Sequence, residues 1–302
     1  MSQSSSTLSR RNFMQAAMGL GLSAAGVLYL PALASPRKPV GPDHFAFLSD
    51  IHIREKPLRK IYTPDPFAKV IQQILALPEL PTAAVVCGDC ASLKGKSEDY
   101  KLLDQLLKPL REGGVPIYLI LGNHDVRDAL WKQFPKQKGK EGAFDEPKHI
   151  KVLSAPSVHL VMLDSKVTKD FTFGRLDKDQ MAWLDAKLGE LADRPVICMA
   201  HHGPNFPYSP LSDYDEMCAV FKKHPQAKAY FCGHAHEWYH QQHKEGKHWE
   251  VCIPSTAYAF KKKEPTGWLD VQFDPKGVKL TLHALDEKHP KHKKPVKLVW
   301  KS

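Results

Sequence analysis

The chain has 302 residues, of which 42% are hydrophobic and 25% are charged, and its formal net charge is +10. This composition excludes a disordered or fibrous chain and is sufficient for a large core in one or two domains. The positive charge favours anionic partners. The sequence has no arginine-rich segment and no aromatic-basic repeat, which disfavours nucleic acid as a partner.

Residues 1–34 have the pattern of an export signal. Arg10 and Arg11 precede an apolar stretch over residues 16–34, which ends in a small-x-small site at Ala34. The segment resembles a bacterial twin-arginine signal peptide. We therefore expect a protein exported in the folded state to the periplasm or the exterior, with the twin-arginine export machinery as a partner. An uncleaved anchor is the alternative, because the stretch approaches the ~20 residues that span a bilayer.

Short apolar runs alternate with helical patterns after a proline-rich linker at residues 35–43. We predict strands over residues 44–50, 83–89, 115–125, 151–165 (two strands around Pro156), 194–202 and 227–236, followed by a strand-rich segment over 238–285. We predict helices over residues 66–77, 97–114, 177–191 and 212–224. This alternation predicts a single α/β domain over residues 44–285.

Helix starts and the end of the chain also carry signals. Ser97 is a predicted N-cap. Asp177 is another, with Gln180 completing a capping box. Residues 286–302 are rich in lysine and predict a basic, partly disordered tail.

The cysteine contexts argue against disulfides. An exported chain with six cysteines could pair them, but four lie inside apolar runs, where free cysteine is a common core residue. These four are Cys87, Cys198, Cys232 and Cys252. We predict that they pack in the core, and the role of Cys90 is left open.

Five of the predicted strands end in the same kinds of polar residue. The clusters are Asp50-Ile51-His52, Gly88-Asp89, Gly122-Asn123-His124-Asp125, His201-His202-Gly203 and Gly233-His234-Ala235-His236. Each cluster alone is better explained as a turn, a helix cap or a packed histidine pair. In open α/β sheets, however, ligands bind beyond the carboxyl ends of strands, so together the clusters indicate one shared site.

These clusters, in this order and context, resemble the motifs of the calcineurin-like metallophosphoesterases. The resemblance runs from Asp50 to His236. It implies a four-layer α/β/β/α sandwich of two mixed sheets, with a metal site at the carboxyl ends of the strands. Residues 174–188 more loosely resemble the cyclic-nucleotide phosphodiesterase-like branch. Ser92 stands where purple acid phosphatases of this superfamily have a tyrosine, which disfavours that branch.

The resemblance also implies roles for individual residues. Two metal ions, divalent or trivalent, would be held with Asp89 as the bridging carboxylate, and their ligand types suit Mn, Fe or Zn. The implied ligands are Asp50, His52 and His236 for the first ion, and Asn123, His201 and His234 for the second. His124 would protonate the leaving oxygen or stabilise the transition state, and Asp125 could orient it. Substrate contacts are expected from Asn123, His124 and His202, although His202 could instead be a packing residue.

The function implied is hydrolysis of an anionic small-molecule phosphoester by attack of a metal-bridging hydroxide. A phosphodiester of the nucleotide or cyclic-nucleotide type is favoured. A phosphomonoesterase of the same fold, a nuclease and a non-catalytic scaffold are the alternatives. Because every motif position is filled, the scaffold is the least favoured. Phe206 and Tyr208 follow the fourth motif and could line the site or pack within their loop.

Overall fold

The computed structural model describes residues 43–56, 63–139, 141–167, 172–206 and 209–301. The predicted signal peptide, nearly all of the predicted linker and Tyr208 lie outside these residues. Within the described ranges, no helix combines the length and the apolar character needed to cross a membrane.

The first sheet has six strands in the order β12-β11-β10-β1-β2-β3. Its strands are β1 (His44–Leu48), β2 (Ala83–Cys87), β3 (Ile117–Ile120), β10 (Gly267–Asp274), β11 (Gly277–Ala284) and β12 (Pro295–Val299). Strands β1, β2 and β3 are parallel to one another, whereas β10, β11 and β12 pair antiparallel. The short runs of β-branched and aromatic residues in β1 and β2 are buried throughout, as expected for the centre of a covered sheet.

The second sheet also has six strands, in the order β4-β5-β6-β7-β9-β8. Its strands are β4 (Lys151–Ser154), β5 (His159–Met162), β6 (Val196–Met199), β7 (Ala227–Cys232), β8 (Tyr239–Gln242) and β9 (Trp249–Cys252). Strands β5, β6, β7 and β9 are parallel, and the two edge strands pair antiparallel. Both sheets are therefore mixed.

Among the described residues, five α-helices cover the outer faces of the sheets. They are α1 (Asp65–Leu75), α2 (Ser97–Glu112), α3 (Arg127–Gln133), α4 (Asp177–Glu190) and α5 (Tyr214–Lys223). Helices α1 to α3 share an apolar cluster with the first sheet, and α4 and α5 share another with the second sheet. A third cluster, with Phe47 from β1 and Phe231 from β7, fills the space between the sheets. The four-layer sandwich predicted by the resemblance is thus confirmed.

The structure corrects the prediction for the end of the chain. Strand β12 lies within the predicted tail and pairs with β11, from Gly277 opposite Val299 to Thr281 opposite Pro295. Its Val296 and Leu298 pack on the inter-sheet cluster, although Lys297 lies between them. Two of the five residues of the strand thus face the core, so the domain continues past residue 285 to this strand.

Two predicted helix starts differ in detail. Helix α2 begins at Ser97, so Ser97 is its first residue and Lys96 is the flanking one. The Asp177 carboxylate accepts the Gln180 backbone N–H at 3.2 Å, as predicted for a cap. The capping box is wrong, because the Gln180 amide donates to the carbonyls of Asp164 and Leu176 instead. Helix α3 and edge strand β8 were not predicted.

All six cysteines are free and buried. The prediction that Cys87, Cys198, Cys232 and Cys252 are packed in the core is confirmed, since each lies in an apolar cluster. Cys90 is also a core residue, on the side of the first sheet covered by α1 and α2.

Candidate active site

The carboxyl ends of five strands carry the polar clusters, and the structure brings these ends to one rim. The seven predicted metal ligands lie there: Asp50 and His52 after β1, Asp89 after β2, Asn123 after β3, His201 after β6, and His234 and His236 after β7. The first four come from the first sheet and the other three from the second. The His234 N–H donates to Asp50 Oδ2 at 3.0 Å, which joins the two sheets at the rim.

The Asp89 carboxylate lies at the centre of this cluster. Its Oδ2 is 3.3 Å from His201 Nε2, 3.7 Å from His52 Nε2 and 3.9 Å from His124 Nε2. Burial alone would raise the pKa of Asp89, but the charge of the nearby His201 imidazole holds that pKa well below its usual range. Asp89 is therefore an anion that faces imidazoles from both sheets.

A second buried carboxylate, Asp50, faces the same space. Its Oδ1 lies 3.3 Å from His236 Nε2 and 3.8 Å from His201 Nε2. Its Oδ2 is held by the Ser49 hydroxyl at 2.6 Å. One oxygen of Asp50 is thus fixed by the protein, and the other points into the cluster.

Several buried polar atoms of this cluster have no hydrogen-bond partner among the described residues. They are Asp50 Oδ1, Asn123 Oδ1, His201 Nε2 and His234 Nε2. Orphaned polar atoms are costly in a protein interior, and four that converge on one space need a common partner. The partner that suits imidazole nitrogens together with carboxylate and amide oxygens is a transition-metal cation. The residues present therefore fit metal ions.

Hydrogen bonds behind the cluster orient the imidazoles for metal binding. His201 Nδ1 donates to the Cys87 carbonyl at 2.9 Å, and His236 Nδ1 donates to the Tyr258 carbonyl at 2.6 Å. A proton on Nδ1 leaves the Nε2 lone pair directed into the site, as in most histidine-metal centres. Burial lowers the pKa of His234 to about 4, so that ring is neutral near pH 7.

The backbone of this rim is unusual. Five of the seven predicted ligands have a positive φ: Asp50 (50°), His52 (45°), Asp89 (49°), His234 (65°) and His236 (52°). Non-glycine residues rarely adopt this left-handed conformation, which is tolerated mainly at functional sites. Gly122 lets the loops approach, because a Cβ there would lie 2.1 Å from Asp89 Oδ1. At Gly233 a Cβ would lie 1.8 Å from Ser49 Oγ.

His124 stands at the edge of the cluster rather than inside it. About a third of its side chain is exposed (32%), whereas Asp89 beneath it is 2% exposed. Its Nδ1 donates to the Leu93 carbonyl at 2.9 Å, which leaves Nε2 facing the site. Its backbone N–H donates to Asp89 Oδ1 at 3.0 Å. This ring can reach a bound molecule and is positioned for proton transfer.

The chain matches the model of the calcineurin-like phosphoesterases over residues 44–238, which include every residue of the rim. The chain belongs to this family. It is accordingly a metal-dependent phosphoester hydrolase, and its relatives in the family cover most of its length.

Among curated proteins, this phosphoesterase is 31% identical over 217 residues to a probable cyclic nucleotide phosphodiesterase of Synechococcus sp., covering 65% of this chain and 79% of that one. It is 28% identical over 224 residues to a glycerophosphodiester phosphodiesterase, GpdQ, of Enterobacter lignolyticus, covering 70% of this chain and 77% of that one. A dimetal phosphatase from Danio rerio shares the fold, with a TM-score of 0.67 and 13% identity over 86% of this chain and all of that one.

In the phosphoesterase, Asp125 does not contact the His124 ring, which it was predicted to orient. Its carboxylate accepts the backbone N–H groups of Cys90, Ala91 and Gly122 at 2.9–3.1 Å and the Tyr100 hydroxyl at 3.0 Å. The His124 ring is held by a carbonyl instead. Asp125 therefore ties together the loops after β2 and β3, and it positions His124 through the backbone rather than through a ring contact.

His202 lies behind the ligands and is fully buried. Its Nδ1 is 2.8 Å from Ser165 Oγ, and its Nε2 is 2.9 Å from the Thr172 carbonyl. Both ring nitrogens are thus engaged by the protein. Of the two expectations for His202, substrate contact and packing, the geometry favours packing behind His201 and His234.

Lys166 is a site residue that the sequence analysis missed. Its ammonium donates to the Asn123 carbonyl at 2.9 Å, next to a ligand and beside His124. Its backbone N–H donates to the buried carboxylate of Asp164, which also pairs with Arg127 at 2.7 Å. Burial lowers the pKa of Lys166. No motif marks this lysine, because it reaches the rim from the segment after β5.

Three aromatic side chains form a wall on one side of the rim, which we call the aromatic wall: Phe206, Tyr258 and Phe260. The Phe260 ring stacks on the His236 ring with centroids 4.1 Å apart and is 55% exposed. Phe206 is parallel to Phe260 at 5.8 Å and edge-on to His234 at 5.0 Å. The expectation that Phe206 lines the site agrees with this geometry. Tyr258 and Phe260 come from the loop after β9 and were not predicted.

The charge state of His201 predicts how metal binding depends on pH. Burial opposes a charge on His201, but the carboxylates of Asp89 and Asp50 outweigh it and raise its pKa to about 10. In the metal-free protein His201 is therefore an imidazolium cation at neutral pH, with both ring nitrogens protonated. A metal ion that binds Nε2 must displace the proton there. Its contribution to the stability of the metal-free protein is complete below the unfolded-state pKa of about 6.5 and is lost as pH rises through about 10.

We expect Mn²⁺ binding at pH 7 to release about one proton from this group. Calorimetric titrations of chelator-treated protein in buffers of different ionisation enthalpy measure that number. His201→Gln removes the titrating group and serves as the comparison. A binding enthalpy that does not depend on the buffer would contradict the prediction.

Proposed function

We propose that this phosphoesterase is an exported phosphodiesterase that works with two metal ions. The observation that carries the proposal is the position of Asp89 Oδ2, which faces His201 at 3.3 Å, His52 at 3.7 Å and His124 at 3.9 Å. A carboxylate between two groups of imidazoles fits a bridging ligand, with a proton donor beside it. The relatives named as phosphodiesterases support the choice of a diester.

The proposed ligands form two sets, one on each side of Asp89. Asp50, His52 and His236 would hold one ion, since Asp50 Oδ1 and His52 Nε2 both face His236 Nε2, at 3.3 and 3.2 Å. Asn123, His201 and His234 would hold the other. Mn, Fe or Zn fits these ligands. When bound, such a pair neutralises the phosphoryl oxygens and lowers the pKa of a water molecule.

The protein's own residues then supply orientation and a proton. Hydrolysis of a diester adds water to phosphorus and breaks one P–O bond, so the leaving oxygen must gain a proton. His124 Nε2 is placed to donate it, because its Nδ1 is fixed on the Leu93 carbonyl and the ring is open to the site. Lys166 holds the Asn123 backbone and adds a positive charge near the phosphate.

The aromatic wall indicates which organic group such a diester carries. A planar or apolar group can stack on Phe260, which lies beside His236 and is more than half exposed. Stacking of this kind contributes about 0.5–1.5 kcal/mol, or about 3–10-fold in affinity. This favours aryl or nucleoside esters over glycerol esters.

We therefore expect Phe260→Ala to raise KM for an aryl diester by about 3–10-fold and to leave kcat nearly unchanged. Steady-state kinetics with bis-p-nitrophenyl phosphate measure the effect, and metal analysis of the variant checks that the site is intact. Val299→Ala, which removes an exposed apolar side chain on β12, is the matched control. If glycerophosphodiesters lose as much affinity as aryl diesters, the wall does not select the organic group.

The proposed activity is tested with bis-p-nitrophenyl phosphate and p-nitrophenyl phosphate in parallel, with Mn²⁺ and with Asp89→Asn as the inactive control. A large preference for the diester supports the proposal. A preference for the monoester makes the protein a phosphomonoesterase of the same fold. If neither ester is hydrolysed in an Asp89-dependent manner with Mn²⁺, Fe²⁺ or Zn²⁺, a non-catalytic scaffold is favoured.

Export to the periplasm or the exterior is the second part of the proposal. It is motivated by Arg10 and Arg11 ahead of the apolar residues 16–34. Replacement of both arginines by lysine should retain the phosphoesterase in the cytoplasm, as measured by activity in cell fractions. Equal periplasmic activity of the native and double-lysine chains would exclude the twin-arginine route.

A further inference from the structure

A second cluster of metal-ligand side chains lies away from the rim. Cys218 is on α5, His243 follows β8, and His248 precedes β9. Strand β9 runs parallel to β7 with Trp249 opposite Ala229, so His248 lies at the amino-terminal end of these strands. The candidate active site follows their carboxyl ends. The two clusters are therefore at opposite edges of the second sheet.

The three side chains are spaced as ligands of one ion would be. Cys218 Sγ is 3.8 Å from His243 Nε2 and 4.0 Å from His248 Nε2. A tetrahedral zinc ion, with bonds of about 2.3 Å to sulfur and about 2.0 Å to nitrogen, would place these atoms about 3.6 Å apart. We propose that Cys218, His243 and His248 form a binding site for a thiophilic divalent ion such as Zn²⁺.

Burial and access fit such a site. Cys218 and His248 are 4% and 1% exposed, whereas His243 is half-buried at the hairpin turn. A cavity of about 530 Å³ between α5 and the hairpin reaches the cluster and is also lined by Asp215 and Glu245. A hydrated cation can therefore enter, and a water molecule can complete four ligands, because Glu245 is already paired with Lys222 at 2.9 Å.

The hydrogen bonds around His248 are compatible with an ion at its Nε2, which also contacts the Tyr214 hydroxyl. Its Nδ1 lies 3.4 Å from the Gly246 carbonyl, the contact that fixes the ring proton on Nδ1 in many metal-binding histidines. The neighbouring Tyr214 hydroxyl has one hydrogen and donates it to Glu250 at 2.6 Å. Tyr214 therefore offers oxygen lone pairs to His248 Nε2, at 3.2 Å. In the metal-free protein a proton on Nε2 can donate to this oxygen, and a cation bound to Nε2 would replace that proton.

Two side chains, Cys218 and His243, must change their protonation when the ion binds. Burial raises the pKa of Cys218 to about 12, so the thiol is protonated without metal and loses its proton to the solvent on binding. His243 Nδ1 accepts the Gly246 N–H at 2.8 Å, so its ring proton must move from Nε2 to Nδ1 and that hydrogen bond must open. We therefore expect the turn to rearrange, with Gly246 giving the backbone freedom.

Cobalt absorption distinguishes this site from the active site. A thiolate bound to Co²⁺ gives a charge-transfer band in the near ultraviolet, and none of the seven predicted active-site ligands is a thiol. The mature chain, reduced and treated with chelator, is titrated with Co²⁺. In Asp89→Asn, whose active site should bind metal poorly, we expect a band that saturates at about one equivalent. The native chain should reach the same intensity by about three equivalents, one for this site and two for the proposed pair, and the band should disappear in Cys218→Ser. His243→Gln changes a half-buried turn residue and should raise the Co²⁺ concentration at half-saturation of the band by at least about 10–100-fold, the loss that removal of an outer-shell partner already causes.

Zinc should then displace the cobalt and abolish the band. The absence of a thiolate band in the folded native chain would overturn the proposal, and so would a band of full intensity in Cys218→Ser. A band that is lost in Asp89→Asn and kept in Cys218→Ser would assign the thiolate to another cysteine near the rim. Neither result depends on whether the enzyme hydrolyses diesters, so the two proposals can fail separately.

Discussion

Asp89→Asn is expected to reduce kcat for a phosphodiester by about 10³-fold, because bridging metal ions contribute several kcal/mol to such reactions and each 1.36 kcal/mol is tenfold in rate. The amide keeps the size of the side chain but removes the charge that faces His201 and His52. It also places an N–H₂ group where a cation would bind. The variant should therefore lose bound metal as well as turnover, which kinetics and elemental analysis measure together.

A control substitution at another aspartate tests whether the loss of activity and metal is specific to the site. Asp270→Asn alters a partly buried aspartate on β10 that contacts His44 at 3.0 Å, at the amino-terminal end of β1, whereas the rim follows the carboxyl end of β1. It should retain nearly full activity and metal content. If Asp89→Asn binds both metals as tightly as the native chain, Asp89 is not a bridging ligand.

His124→Ala is expected to lower kcat by about 10²–10⁴-fold, the usual contribution of general acid catalysis, while both metals stay bound. The ring is at the edge of the cluster, and its Nδ1 is held by the Leu93 carbonyl. Its loss removes the proton donor but none of the seven predicted ligands. Elemental analysis should give the native metal content.

Two comparisons separate catalysis by His124 from support of the site. A substrate with a better leaving group, such as a dinitrophenyl diester, needs less proton donation and should lose much less activity in His124→Ala. Asp125→Asn should instead reduce stability, because its carboxylate holds three backbone N–H groups and Tyr100. Loss of metal from His124→Ala would make His124 a ligand and overturn its assigned role.

The rim could be predicted from the sequence because its residues sit at strand ends. The end of each short apolar run marks the carboxyl end of a strand, and parallel strands bring their carboxyl ends to one edge of the sheet. Asp89 and His201 were therefore found from local signals plus order along the chain. The structure adds that the rim combines both sheets, which no local pattern reports.

Other parts of the site depend on contacts between distant segments. Lys166 and Phe260 have no motif, because a lysine after β5 and an aromatic residue after β9 are as common on ordinary surfaces. Their roles come from where the loops fold. Strand β12 was missed because its local pattern is misleading. Its lysines suggest a solvated tail, and only the pairing with β11 shows that Leu298 faces the core.

The division of the ligands between the two sheets has a consequence for how the protein is made. During synthesis Asp50 emerges from the ribosome early, whereas His236 emerges only after most of the chain has been translated. Strand β1 pairs with β10 as well as β2, so its position is completed later still. A nascent chain that stops before residue 201 cannot complete the proposed two-ion site, because three of its seven proposed ligands do not yet exist. The proposed ions can therefore be bound together only late in synthesis or after it, and the cell compartment where folding finishes determines which metal is available.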